Sequence, residues 1–155
     1  FAIVETKERA VKWARWLDEQ LDDSRSVPVT LGPRNGRRSA LGEDAGIIRM
    51  HFSGCSASCA QPQIADIGFR GDIAHVGEHI EEAVDIGLGG SLGPDAAFID
   101  WVAGRLPVDR VPAALVRLLD QYQTERRGDE PFHTWARRVP NEELQRTLVE
   151  ETVRP

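Results

Sequence analysis

The stretch GCSASCAQPQIADIGF, residues 54–69, contains both cysteines of the 155-residue chain. Cys55 and Cys59 are separated by three small residues, in a loop that leads into an apolar segment starting near Gln63. Residues 47–52, just ahead of this loop, alternate between apolar and polar side chains. Such alternation is typical of a strand with one buried face, so the cysteine loop is expected at the end of a strand.

Helical and strand-like patterns alternate over the rest of the chain. An amphipathic helix is predicted over residues 2–21, followed by a loop rich in Gly, Pro, Ser and Arg over 22–46. The other predicted elements are strands over 63–69 and 83–88, helices over 94–102 and 112–126, and two last helices capped by Asp129 and Asn141. This order indicates an α+β (α/β-like) domain with a mixed β-sheet flanked by helices.

The first residues of the chain already follow the helical pattern. Phe1 is not an initiator residue, no capping residue precedes the pattern, and Thr6 comes too late to start the helix. We therefore expect the chain to be cut from a longer polypeptide, with the helix continuing upstream.

The amino-acid composition argues against some classes of binding partner. The formal net charge of -6 argues against a nucleic-acid or anionic-membrane partner. The sequence has no apolar run of membrane-spanning length. With two cysteines in a chain of ordinary domain size, we expect reduced thiols and a cytoplasmic protein.

The cysteine pair allows three interpretations. Buried structural thiols are the usual one, although such thiols seldom share a single loop. A zinc site is the second, because His51 lies four residues before Cys55, and His75 and His79 repeat that step. However, His51 falls in an alternating strand, and the other two histidines fall in a predicted turn. The third is an iron-sulfur cluster, which takes four thiolates, two more than this chain contains.

A glycine cluster at residues 87–93 follows a predicted strand. Exposed backbone amides in such a segment can bind carboxylate or phosphate groups, and a tight strand-to-helix turn explains the glycines equally well. Leu92 occupies the third glycine position of the dinucleotide pattern G-x-G-x-x-G, which excludes a Rossmann assignment. No Ser-His-Asp or paired-carboxylate constellation stands out.

Residues 48–68 resemble the second cysteine motif of the siroheme and 4Fe-4S nitrite and sulfite reductases, S/T-G-C-P-N-x-C-x-Q-x-x-I-A-D-I-G. Where most members have Pro-Asn, this chain has Ser56-Ala57, which removes a stiffening proline and an amide side chain. Further similarities follow in family order, at residues 1–7 (after the family's first motif, C-x5-C), 88–93, 111–122 and 130–135.

The resemblance implies the C-terminal portion of an assimilatory ferredoxin-dependent nitrite reductase, an oxidoreductase that carries out the six-electron reduction of nitrite to ammonia. The alternatives are an assimilatory sulfite reductase, which reduces sulfite to sulfide, and a non-catalytic fragment or binding module without a cluster. Ferredoxin is the implied electron donor and a small oxyanion the substrate. We expect a monomer together with the missing N-terminal portion, and an inactive isolated fragment.

The resemblance also implies roles for individual residues. Cys55 and Cys59 would be two ligands of the 4Fe-4S cluster, and Cys59 matches the cysteine whose sulfur is also the axial ligand of the siroheme iron. The expected donors to siroheme carboxylates are Gln61, Arg49 and the amides of Gly89 and Gly90. The arginines and lysines that hold the substrate are expected upstream, so no catalytic residue is assigned within this chain.

Two regions follow from the same resemblance. Residues 1–104 are expected to form a siroheme/4Fe-4S half-domain with a loop insertion at about 22–46. Residues 105–155 are expected to form a C-terminal helical extension that packs on it.

Overall fold

The computed structural model describes Val4 and residues 6–20, 29–30 and 47–150. The insertion expected at about 22–46 therefore lies outside the described residues, apart from strand β1, Val29–Thr30. The remaining strands are β2, Ile48–Ser53; β3, Ile67–Val76; β4, His79–Leu88; and β5, Asp100–Pro107. The described helices are α1, Lys7–Gln20; α2, Val111–Glu125; α3, Phe132–Arg138; and α4, Asn141–Val149.

The described strands form one mixed sheet in the order β1-β2-β3-β4-β5. β1, β2 and β3 run parallel, whereas β4 pairs antiparallel with both β3 and β5. The parallel connection from β2 to β3 contains the cysteine loop and a short 3-10 turn, Pro62–Ile64. The mixed sheet with flanking helices confirms the expected α+β class.

The buried face of β2 follows from its alternating sequence. Ile48 and Met50 are buried, Arg49 between them is exposed, and Phe52 is half-buried. Phe52 contacts Phe69 of β3 and Trp13 of α1, with ring centroids 5.2 Å apart in both pairs. This aromatic cluster attaches α1 to the sheet next to the cysteine loop.

The C-terminal helices share the same hydrophobic core as the sheet. Tyr122 of α2 packs against Phe132 and Trp135 of α3, and the Tyr122 hydroxyl donates a 2.6 Å hydrogen bond to the Glu130 carbonyl. The boundary expected between residues 104 and 105 falls inside β5. Within the described residues, the sheet and the C-terminal helices are therefore joined by one continuous core.

The predicted start of the first helix is wrong. α1 begins at Lys7, immediately after Thr6, whose carbonyl accepts a 2.9 Å hydrogen bond from the Ala10 N–H. Val4 is not helical, and its N–H donates to the Gly54 carbonyl at 3.0 Å. This hydrogen bond draws the segment toward the cysteine loop, which the helical periodicity did not indicate.

The helix predicted over 94–102 is also wrong. Ser91 and Ala97 form a short antiparallel bridge instead, and β5 begins at Asp100. Gly93, with φ +108°, turns the chain between them. Pairing of β5 with β4 therefore overrides a weak helical pattern.

Other element ends differ from the prediction by a few residues. The strand predicted from Gln63 begins at Ile67, after the 3-10 turn, and the strand predicted from Ala83 begins at His79.

The predicted caps Asp129 and Asn141 are wrong, because Pro131 and Pro140 directly precede α3 and α4. A proline fits there since its φ suits the approach to a helix and its missing N–H is not needed.

Candidate functional site

The cysteine loop is held close to the sheet at its first residue. Ser53 ends β2 and is buried, and the Gly54 carbonyl accepts the Val4 hydrogen bond. Gly71 of β3 lies against this carbonyl so closely that a Cβ at position 71 would stand 2.3 Å from the Gly54 oxygen. The loop therefore leaves the sheet in a position set by a backbone-to-backbone contact.

Cys59 lies between two residues with left-handed backbone. The Ser58 N–H donates to the Cys55 carbonyl at 3.2 Å, and the Gln61 N–H donates to the Ser58 carbonyl at 2.9 Å. Ser58 has φ 58° and Gln61 has φ 50°. Each such residue costs roughly 1–2 kcal/mol in backbone strain, which the surrounding hydrogen bonds must offset. The loop has a defined conformation that presents the Cys59 thiol.

Both cysteines are free thiols, with Cys55 half-buried and Cys59 exposed. Buried structural thiols, one of the three interpretations of the sequence, do not fit this exposure. Two thiols on a loop of small residues fit half of the ligand set of a 4Fe-4S cluster. The other two thiolates would have to come from outside this chain, which contains two cysteines only.

The histidines do not complete a metal site with the cysteines. His51 lies on the exposed face of β2, and its Nδ1 is 3.0 Å from the Gln61 carbonyl oxygen. His75 and His79 flank the β3–β4 hairpin turn and are exposed. Within the part of the chain that the structure describes, no group of three or more His, Cys, Asp or Glu side chains could hold a metal ion.

Arg49 is held by the carboxylate of Asp66. The Arg49 backbone N–H donates to Asp66 Oδ2 at 2.9 Å, and its Nε donates to the same oxygen at 3.2 Å. Asp66 is 1% exposed, whereas the Arg49 side chain is 47% exposed. The guanidinium is therefore fixed at one edge and open at the other.

Gly89 and Gly90 allow a close approach of two backbone segments. A Cβ at Gly90 would stand 2.5 Å from the Ala65 carbonyl oxygen, and Gly89 has φ +88°. The Gly89 N–H donates to the Asp66 carbonyl at 2.9 Å, so the geometry does not support this amide as a donor to a cofactor carboxylate. The predicted turn from a strand to a helix is wrong, because no helix follows, and the segment instead packs against the residues that follow the cysteine loop.

Sequence reasoning missed a polar network on α3. His133 Nδ1 lies 3.1 Å from Asp66 Oδ1, and His133 Nε2 lies 2.9 Å from Asp95 Oδ2. The hydrogen bond with His133 holds the pKa of Asp95 below its usual value of 3.8. The sequence contains one indication of this network, which is a single Asp in the apolar run IADIG, residues 64–68. A carboxylate buried in such a run needs hydrogen-bond partners from elsewhere in the fold.

No helix within residues 6–20 and 47–150 is long and apolar enough to cross a membrane.

Comparison with known proteins identifies relatives over most of the chain, although no family model matches it. An assimilatory ferredoxin-dependent nitrite reductase of Haloferax mediterranei is 33% identical over 134 residues, 86% of this chain and 20% of that protein. A chloroplastic ferredoxin-nitrite reductase of Pinus sylvestris is 37% identical over 114 residues, 73% of this chain and 89% of that sequence. Sulfite reductase (ferredoxin) 1 of Mycolicibacterium paratuberculosis is 34% identical over 127 residues, 79% of this chain and 23% of that protein.

The fold agrees with these relatives. The solved structure of the NirA protein of Mycobacterium tuberculosis matches with a TM-score of 0.71 at 29% sequence identity, over 92% of this chain and 24% of that one. The chain spans about a fifth of the length of the Haloferax relative. With 37% identity across 89% of the pine sequence and the same fold as NirA, this chain belongs to the siroheme- and 4Fe-4S-dependent nitrite and sulfite reductase family.

Proposed function

We propose that this chain supplies the C-terminal cysteine pair of an assimilatory ferredoxin-dependent nitrite reductase, which reduces nitrite to ammonia. The observation that carries the proposal is the ordered loop at the end of β2, with two free thiols in a chain related to such enzymes. The chain spans only about a fifth of the Haloferax relative, so the activity, substrate and donor of the whole enzyme all belong to the proposal.

Cys55 and Cys59 would bind the 4Fe-4S cluster, and the Cys59 thiolate would also bind siroheme. When bound, these two groups would supply the one-electron redox chemistry that a six-electron reduction of an oxyanion requires. The greater exposure of Cys59 supports its assignment as the shared ligand, because that sulfur must face the second cofactor. The left-handed residues on either side of Cys59 hold the loop in a preset shape.

The side chains around the loop support binding of an anionic cofactor. Siroheme carries several carboxylates, which pair well with guanidinium groups. Arg49 presents an open edge on the same face of β2 as His51, which contacts the cysteine loop at Gln61. We keep Gln61 as a candidate contact of siroheme. Gly89 and Gly90 form a close-packed segment beside Asp66, and we assign them the role of supporting that residue.

Sulfite is the second candidate substrate, favoured by the similarity to the mycobacterial sulfite reductase. Ferredoxin is the proposed donor for either substrate, because the relatives are named for it. We also place the enzyme in the cytoplasm, since free thiols persist in reducing compartments.

The test is an activity assay on the full-length enzyme that contains this chain, with reduced ferredoxin and either nitrite or sulfite. We expect stoichiometric ammonia from nitrite and a much slower formation of sulfide from sulfite. The matched control is the Cys59→Ser variant, which should abolish both reactions. Faster turnover of sulfite would favour the sulfite reductase. A full-length protein that binds neither cofactor and reduces neither oxyanion would support a non-catalytic module and overturn the proposal.

A further inference from the structure

Asp66 is the most deeply buried carboxylate in the polar network behind the cysteine loop. It is 1% exposed, and both of its carboxylate oxygens have partners. Oδ2 accepts from the backbone N–H and Nε of Arg49, and Oδ1 lies 3.1 Å from His133 Nδ1. Burying a carboxylate is costly unless it is paired and hydrogen-bonded, so these contacts fix the Asp66 side chain in one orientation.

The contact with Asp66 constrains Arg49 at two points. The backbone N–H and the side-chain Nε bind the same oxygen, which holds the guanidinium plane close to its own main chain. Neither Nη group of Arg49 has a hydrogen-bond partner among the described residues, and the side chain is 47% exposed. A guanidinium offers its remaining N–H groups in a planar fork that suits a carboxylate or another oxyanion.

Asp66 is supported in turn by α3 and by the segment after β4. His133 is only 13% exposed and bridges Asp66 to Asp95. Arg137 then donates to the Gly89 carbonyl at 2.7 Å and to Ser91 Oγ at 2.6 Å. The Gly89 N–H closes the network on the Asp66 carbonyl. The network therefore ties the position of Asp66 both to α3 and to the segment after β4.

The open edge of Arg49 lies on the exposed face of β2, which the end of the cysteine loop contacts at His51. Arg49 and His51 point to the same face because side chains two residues apart in a strand do so. His51 Nδ1 lies 3.0 Å from the Gln61 carbonyl oxygen, so the end of this loop lies beside that face.

We propose that Asp66 is a positioning residue that aims the guanidinium of Arg49 at an anionic oxygen group bound beside the cysteine loop. This inference rests on the proposed function, which makes that group either a siroheme carboxylate or the oxyanion substrate. His133 and Asp95 act one step further back, since they hold Asp66 and not the ligand.

The experiment uses the full-length siroheme enzyme with Arg49→Gln, Asp66→Asn and both changes together. If the ligand is a siroheme carboxylate, each single variant should retain siroheme at least about tenfold less tightly, as expected for a lost charge-assisted hydrogen bond. The readout is the siroheme absorbance that remains bound after dilution. If the ligand is the oxyanion, siroheme retention is unchanged and the KM for nitrite rises about tenfold instead. Either result supports the inference.

The double variant distinguishes a role of Asp66 in positioning Arg49 from a role in stabilising the fold. If Asp66 acts through Arg49, Asp66→Asn should weaken binding no further once Arg49 is Gln, although it still lowers the midpoint of thermal unfolding. The matched control is Arg138→Gln, which removes an Arg–carboxylate pair on the outer side of α3 and should leave siroheme retention and KM unchanged. Should Asp66→Asn not fold, His133→Gln replaces it, with a smaller shift in the same direction.

Three results would contradict the inference, each in a different way. A siroheme-loaded wild type whose Arg49→Gln variant retains siroheme and keeps the same KM would overturn the inference and leave the proposed function intact. Additive losses in the double variant would show that Asp66 does not act through Arg49. A wild-type enzyme that contains no siroheme would overturn the proposed function, and this inference with it.

Discussion

At the scale of single residues, backbone contacts decide where the cysteine loop lies. The Gly54 carbonyl fits against Gly71 because position 71 has no Cβ, and it also receives the Val4 N–H. Ser58 and Gln61 then turn the chain with positive φ on either side of Cys59. The position of the thiols thus depends on the backbone of these residues and not on their side chains.

Gly71→Ala should destabilise the protein by about 1–3 kcal/mol, because the new Cβ would overlap the Gly54 oxygen and displace the loop. The matched control is Gly104→Ala, where the new Cβ would meet Asp85 Oδ1 at 3.4 Å, an ordinary contact. The measurement is the free energy of unfolding from urea titration of each variant. Equal values for Gly71→Ala and the wild type would show that the loop is not held by this contact.

Glu130 should make stability depend on pH in the acid range. The Arg138 guanidinium, together with the Arg127 N–H, holds the pKa of Glu130 below its usual value of 4.5. The unfolded state then binds the proton more readily, so this stabilisation is present above pH 4.5 and is lost as the pH falls through the lowered pKa.

Glu130→Gln should therefore flatten the acid limb of the stability curve and lower stability at neutral pH by less than about 1 kcal/mol, the usual range for an ion pair near solvent. The measurement is the free energy of unfolding of both proteins across that pH range. An acid limb of unchanged slope in the variant would assign the pH dependence to other groups.

At the scale of elements, the sequence predicted those segments whose pattern matches their burial. β2 alternates and is buried on one face, and α2 repeats its apolar residues along its buried face. The helix expected over 94–102 failed because hydrogen bonding to β4 is a long-range interaction that a local pattern does not contain. Cys55 and Cys59 could be found from the sequence because both lie in one short loop. The contact between Asp66 and His133 joins residues 67 positions apart, so no local pattern indicates it.

Helix α1 should depend on Trp13 for its attachment to the sheet. Trp13 is 7% exposed and packs edge-to-face on Phe52 and Phe69. Trp13→Ala should cost about 3–5 kcal/mol through the cavity it leaves. On the exposed face of the same helix, Val11→Ala should change stability by no more than about 0.5 kcal/mol. Thermal and urea unfolding compare the two, and similar losses for both would mean that α1 is not held by its aromatic face.

At the scale of the whole molecule, the chain combines a continuous core with half of a cofactor site. Sheet and C-terminal helices share buried side chains such as Phe69, Leu118 and Trp135, so the described residues need no cofactor to explain their packing. The thiols lie outside that core, at the end of the sheet. Folding and cofactor binding should therefore be separable properties.

The isolated 155-residue chain should fold without holding a stable iron-sulfur cluster, because two thiolates cannot complete a set of four ligands. The measurement is anaerobic reconstitution with iron and sulfide, followed by desalting and visible absorbance, with circular dichroism as the control for folding. A brown, folded chain that retains iron and labile sulfide in equal amounts after desalting would contradict this expectation.

The most direct test of the central claim is the cofactor content of the full-length enzyme with Cys55→Ser or Cys59→Ser. Iron, acid-labile sulfide and siroheme are measured on each purified protein, beside the wild type. If the two cysteines are cluster ligands and Cys59 joins the cluster to siroheme, we expect both variants to lose labile sulfide and the Cys59→Ser variant to lose siroheme as well. Variants that keep all three at wild-type amounts would show that this loop does not bind the cofactors.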